Sequence, residues 1–190
     1  MHIETRAELT ADGRIVNWDF DLWSCPHTSR PRGIPTAGNL IYAQHKKDPL
    51  IIPPPQSIPQ PVGGSDRNAV PLYAFENMKV TKHLVTDMPV RVSALRSLGA
   101  YANVFAIESF MDEIAFKVGQ DPFAFRMSHL DDARAVALLE RLQDESGWAN
   151  RLEAGGGKGW GLGFAWFKNL SSYVGIVVEL EVDNTMVRSC

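Results

Sequence analysis

Between Cys25 and about Val70 the chain concentrates most of its prolines, among them Pro53, Pro54, Pro55, Pro59 and Pro61, followed by Gly63-Gly64. Proline removes a backbone donor, fixes φ and pushes the preceding residue out of the helical region. Neither a helix nor an inner strand can run through such a stretch. Regular structure is therefore confined to the two flanks, and a fold must be assembled across the irregular middle. A loop of this length is expected to serve a function. Two readings are open: an excursion over a neighbouring subunit, or a disordered insertion. The chain reads as one unit over residues 1–190, with the irregular excursion at about 25–70.

The N-terminal flank, RAELTADGRIVNWDFDLWS, reads as a hairpin. Trp18, Phe20 and Leu22 alternate with Asn17, Asp19 and Asp21, the period of a half-buried strand. Asp12-Gly13 supplies the pair a tight turn needs. After the prolines, Leu72–Val85 suggests one strand and its approach. Val104, Ile107, Met111, Ile114, Ala115 and Val118 then form one helical stripe, and Glu113 and Lys117 are expected to pair four apart on another face. Gly119 fits the left-handed position after that helix. Asp121-Pro122 starts a short second helix, and Asp131 or Asp132 caps a third that ends at Gly147. Gly159, Gly161 and Gly163 alternate with Trp160, Leu162 and Phe164, a strand with one bare face open to close approach. YVGIVVELEVDNTM reads as a strand, an Asp183-Asn184 turn and the start of another strand. An edge left there would expose unpaired backbone groups, so the chain is expected to be a piece of something larger. The class is α+β: mixed sheet segments with three helices in the middle.

Composition excludes several functions. The 22 acidic and 19 basic residues are interspersed and give a net charge of −3, with no basic stripe for nucleic acid. No apolar run reaches the roughly 18 residues of a membrane span. Cys25 and Cys190 have no metal-ligand spacing, and His27, His45, His83 and His129 each stand alone. In GGGKG, Gly159 stands where a P-loop needs Ser or Thr, and the G-x-G-x-x-G spacing is absent. Glu108 lies on the buried side of the first helix, where a structural pair with an arginine or a backbone amide is favoured over a catalytic role.

The order of four segments resembles the molybdopterin-binding large subunit of the xanthine dehydrogenase and aldehyde oxidase family, nearest to isoquinoline 1-oxidoreductase-like β subunits. They are RAELTADGRIVNWDFDLWS, SALRSLGAYANVFAIESFMDEIA, DPFAFRMSHLDDARAVALLE and GKGWGLGFAWFKNLSSYVGIVVELEVD. The resemblance implies that Leu95–Gly99 is a loop against the cofactor. Arg96 and Ser97 would be cofactor-binding, and Leu98 would face substrate. The family commonly places Gly after the arginine, and its purine-oxidising branch has an aromatic at the position of Leu98. Ser97 and Leu98 depart from that pattern and fit the isoquinoline-type branch.

The implied chemistry is hydroxylation of N-heteroaromatic rings, or oxidation of aldehydes, with oxygen taken from water. Electrons would leave through an iron–sulfur subunit or domain. The family's glycine-rich cofactor loop and base glutamate are not among these residues, so no catalytic residue is assigned. The implied partners are the remaining segments of the large subunit and the iron–sulfur component, with homo-oligomers through exposed strand edges. The chain alone is expected to hold neither molybdenum cofactor nor metal. Two readings of other classes remain: a non-catalytic α+β remnant, and a small-ligand-binding module walled by the glycine-aromatic strand.

Overall fold

Strands β1 (His2–Leu9) and β2 (Ile15–Ser24) pair antiparallel around the Asp12-Gly13 turn, with Gly13 at φ +87°. The structure is a computed structural model that describes residues 1–27, 45–48, 56–88, 94–151 and 155–182. Strand β3 (Asn77–Leu84) adds parallel to β2, with Val80 beside Phe20. Alternation decides which face is wet. Trp18, Phe20 and Leu22 are buried, while the other face of the sheet carries Asp19, Asp21 and Trp23. His83 lies there, stacked on Trp23 at 4.3 Å and bonded to Asp21 at 3.0 Å. It is a partly exposed strand residue, and no cluster of ligating side chains surrounds it among the described residues.

Three helices follow, packed in series on one another, and the first lies against β1. Helix α1 (Ala100–Lys117) buries Ile107, Met111, Ile114 and Ala115, and Gly119 follows it at φ +69°. Helix α2 (Pro122–Met127) starts at Asp121, whose carboxylate accepts from Phe123 N–H and Ala124 N–H. Helix α3 (Ala133–Glu145) is capped by Asp132, and Gly147 after it adopts φ +67°. Glu113 and Lys117 are both exposed, but no ion pair joins them, in contrast to their spacing. Four-residue spacing only permits such a pair, and in water it is worth roughly a few tenths of a kcal/mol.

Strands β4 (Lys158–Trp166) and β5 (Tyr173–Glu181) form a separate antiparallel pair. Leu162 and Phe164 point into the common core. On the opposite face Gly159, Gly161, Gly163 and Ala165 lie beside Leu180, Val178, Ile176 and Val174. A Cβ added at Gly159 or Gly161 would meet nothing within 4 Å. The expected bare face is therefore real and open. The Asp183-Asn184 turn, the strand after it and Cys190 lie outside the described residues, as do Pro53, Pro54 and Pro55.

Residues 56–70 contain neither helix nor strand, as their prolines require. Yet 63–69 are buried throughout, so this part of the stretch packs back onto the core. Composition announces the irregularity. It cannot announce the burial, which comes from long-range hydrogen bonds.

Candidate functional site

The segment Ala94–Gly99 enters α1 through a tight turn, with Leu98 N–H donating to Leu95 O at 3.1 Å. Ser97 and Leu98 adopt φ +72° and +57°. Two consecutive side-chain-bearing residues in the left-handed region cost on the order of 1 kcal/mol or more each, and persist only when the surroundings enforce them. Here Gly99 N–H donates to Gly64 O at 2.9 Å, and a Cβ on Gly99 would stand 2.0 Å from Ser65 O. Only glycine allows that approach. The Leu98 side chain, 7% exposed, adds burial that offsets the strain.

This geometry leaves Arg96 outside. It is exposed and makes no hydrogen bond or ion pair with any described residue. Just behind it α1 begins without a side-chain cap and without an acid in its first turn. The partial positive charge of the helix start and the guanidinium lie together. The three predicted residues are thus contiguous but unequal: Arg96 and Ser97 are exposed, and Leu98 is largely covered.

Under the loop lies a turn that no sequence motif singles out, Gly63–Asn68. Asn103, fully buried one turn into α1, donates through Nδ2 to Ser65 O and Arg67 O, both at 2.9 Å. Asp66 accepts from Gly64 N–H at 3.0 Å and from Lys82 of β3 at 2.8 Å. Burial would raise the Asp66 carboxyl, but the bonds from Lys82, Gln60 and Gly64 prevail and lower its pKa. Asn68 donates to Trp166 O and accepts from Lys168 N–H, joining the turn to the end of β4. Ser65 Oγ and Asn103 Oδ1 are buried without a partner among the described residues. An unpaired buried polar atom costs about 1–3 kcal/mol.

A second polar cluster is closed. Glu108 on α1 accepts from Tyr73 OH at 2.8 Å, and from Arg126 Nε and Phe164 N–H at 3.0 Å. Arg126, fully buried, also donates to Asp112 at 2.6 Å. Burial pushes the Glu108 carboxyl up, against the pull of Arg126, Tyr73 and Phe164 N–H. Buried and held by Tyr73, Arg126 and Phe164 N–H, Glu108 is a structural partner in this cluster. The cavity beside it, between Tyr73, Phe164 and Trp166, measures about 20 Å³. That volume admits one water, so this side of the glycine-aromatic strand offers no ligand pocket. No cluster of three or more His, Cys, Asp or Glu among the described residues could hold a metal, and no described helix is long and apolar enough to cross a membrane.

The order of strands and helices, with the arginine loop at the entry to α1, is that of a molybdopterin-binding domain. Residues 64–130, which hold both the buried turn and the Arg96 loop, match the family model of the molybdopterin cofactor-binding domain. That match, with the relatives of this chain, supports a molybdopterin-binding fragment of the xanthine dehydrogenase family.

It is 33% identical over 147 residues to a subunit of the nicotinate dehydrogenase of Pseudomonas putida, covering 77% of this chain and 11% of that protein. It is 30% identical over 126 residues to the beta subunit of the isoquinoline 1-oxidoreductase of Brevundimonas diminuta, covering 65% of this chain and 15% of that protein. Both relatives are parts of larger enzymes, and the chain spans a small part of the length of each. The aldehyde oxidoreductase of Desulfovibrio gigas shares the fold, with a TM-score of 0.53 and 16% identity over 85% of this chain and 17% of that one.

Proposed function

We propose that this chain supplies one wall of the cofactor site in the large subunit of a molybdenum hydroxylase. Its substrates would be N-heteroaromatic compounds or aldehydes. The observation that carries this reading is the Arg96 loop: an exposed guanidinium without a partner among the described residues, followed by two strained residues, at an acid-free helix start. These features fit an anionic cofactor. A guanidinium stays charged and offers a planar fork to phosphate or oxo groups. When bound, molybdopterin supplies the two-electron redox chemistry and the route for water-derived oxygen.

The chain's own residues position and shield. Arg96 holds negative charge, with Ser97 beside it as the second contact. Leu98 presents a small apolar edge toward substrate. The proton acceptor comes from elsewhere in the complete subunit, because Glu108 is enclosed in the core and ion-paired with Arg126. Electrons pass to an iron–sulfur subunit or domain, and the remaining segments of the large subunit complete the site. Homo-oligomers through the open face of β4–β5 or through exposed strand edges would add to the assembly. The chain purified alone should contain no stoichiometric molybdenum, iron or flavin.

The test is Arg96→Ala in the complete large subunit. Loss of one charge-stabilising donor in a dry site is worth on the order of 3 kcal/mol, so turnover or molybdenum retention should fall by about two orders of magnitude. Arg96→Lys should recover only part, since an ammonium lacks the planar fork. Arg141→Ala serves as control, because Arg141 is exposed and pairs with Glu145 on α3. Equal and small effects at both positions would refute the assignment.

A further inference from the structure

We propose that Asn103 is the positioning residue of the Arg96 loop, acting through the buried Gly63–Asn68 turn. The proposal rests on the reading of Arg96 as a cofactor contact. Asparagine is a poor helix former, and a fully buried position on α1 would ordinarily hold an apolar residue. Asn103 therefore serves something other than its helix. Both Nδ2 donors leave the helix for carbonyls of another segment, Ser65 O and Arg67 O. Its own N–H is bonded to Gly99 O at 3.0 Å, and Gly99 N–H to Gly64 O at 2.9 Å. Carbonyls 64, 65 and 67 of the turn are thus all taken by residues 99 and 103.

The turn is anchored independently on its far side. Asp66 is tied to Lys82 on β3, and Asn68 to Trp166 and Lys168 at the end of β4. Asn103, beside the single hydrogen bond from Gly99 N–H to Gly64 O, supplies the side-chain bonds that transfer this anchorage to the start of α1. Ser97 and Leu98 hold left-handed backbone only while Gly99 stays pressed against Ser65 O. Without the amide clamp the turn and the helix start can separate, and the pair relaxes toward ordinary φ. Arg96 keeps its charge in that case but loses its fixed place.

Asn103→Ala tests this, because alanine favours the helix and removes only the clamp. In the full chain, amide hydrogen exchange at Leu98 and Gly99 should accelerate at least about tenfold, while amides inside α3 keep their rates. Leu139→Ala, a core change on α3, should instead raise exchange in α3. Gly99→Ala, which has no room for its Cβ, should reproduce the Asn103→Ala pattern. Unchanged exchange at Leu98 and Gly99, a rise only in step with α3, or loss of the whole fold would each overturn the positioning role.

In the complete subunit, Asn103→Ala should lower molybdenum retention by at least about tenfold. Combining it with Arg96→Ala should add little, since both act through one group. Full additivity would overturn the link between them. If Arg96→Ala alone leaves molybdenum untouched, the cofactor reading fails, and the exchange experiment still decides whether Asn103 holds the loop.

Discussion

At the scale of single residues, side-chain partners decide what the backbone pattern leaves open. The stripe of α1 places Glu108 inside the core, and from there an arginine or an amide partner is the expected solution; both occur, as Arg126 and Phe164 N–H. Arg126 itself is not legible in the sequence, because it sits between Phe125 and Met127 in a helix too short to show a period. His129 is a similar case. It stands alone in sequence, yet it is buried, with Nε2 accepting from Ile15 N–H at 3.0 Å and Nδ1–H donating to Phe125 O at 2.8 Å. Burial lowers its pKa from 6.5, and Arg14 adds to the effect. A histidine whose folded pKa is depressed binds more protons when unfolded. Its stabilising contribution is complete above the unfolded value and is lost as pH falls below about 6.5. The thermal midpoint of the chain should therefore drop between about pH 7.5 and about pH 5.5, and His129→Leu should flatten that slope. A residual slope belongs to His27, whose pKa burial also lowers. A slope unchanged in His129→Leu would show that the drop arises elsewhere.

Elements are legible wherever a local rule fixes them. Alternation locates β2, the three- and four-residue stripe locates α1, and Asp-Pro and Asp-Ala pairs locate the starts of α2 and α3. The Gly63–Asn68 turn is not legible, although it lies under the candidate site. Its order rests on partners up to about a hundred positions away, such as Trp166 and Asn169 for Asn68. The three polar residues Asp66, Arg67 and Asn68 shortly after two glycines are the one available signal of a structured turn. Asp121 shows how much one cap can carry. Its Oδ1 caps α2, while Oδ2 accepts from Trp148 Nε1 at 2.7 Å and from Arg151 at 3.2 Å. Asp121→Ala should cost about 2 kcal/mol, above the ~1 kcal/mol of an ordinary cap, because a buried indole N–H is orphaned too. Asp121→Asn should restore about half of that, since Asn caps as well as Asp. Denaturant titration of the two variants measures both numbers, and a loss under about 0.5 kcal/mol in the alanine variant would contradict the double role.

For the whole molecule, the surface of the β4–β5 pair poses the question the core does not. Val174, Ile176, Val178, Leu180 and Val182 are 44–56% exposed on one face. Beside them runs the bare backbone strip of Gly159, Gly161 and Gly163. An apolar ridge next to a side-chain-free trough is a surface made to be covered, and contiguous patches larger than roughly a few hundred Å² are rare on monomers. Two copies related by a two-fold axis parallel to the strands could set each ridge over the other's trough, the self-complementary arrangement of an isologous contact. A contact between two-stranded faces alone is small, so the association should be weak and concentration-dependent. The chain purified alone should therefore sediment as a mixture of monomer and larger species that shifts with dilution. Ile176→Lys combined with Val178→Lys should leave a monomer at every concentration and change stability by only about 1 kcal/mol, because both side chains point to solvent. Sedimentation of the unaltered chain as a single monomer at high concentration would refute the prediction. Association that survives both lysines would move the contact from this face to the strand edges, where unpaired backbone groups can pair between chains without regard to side chains.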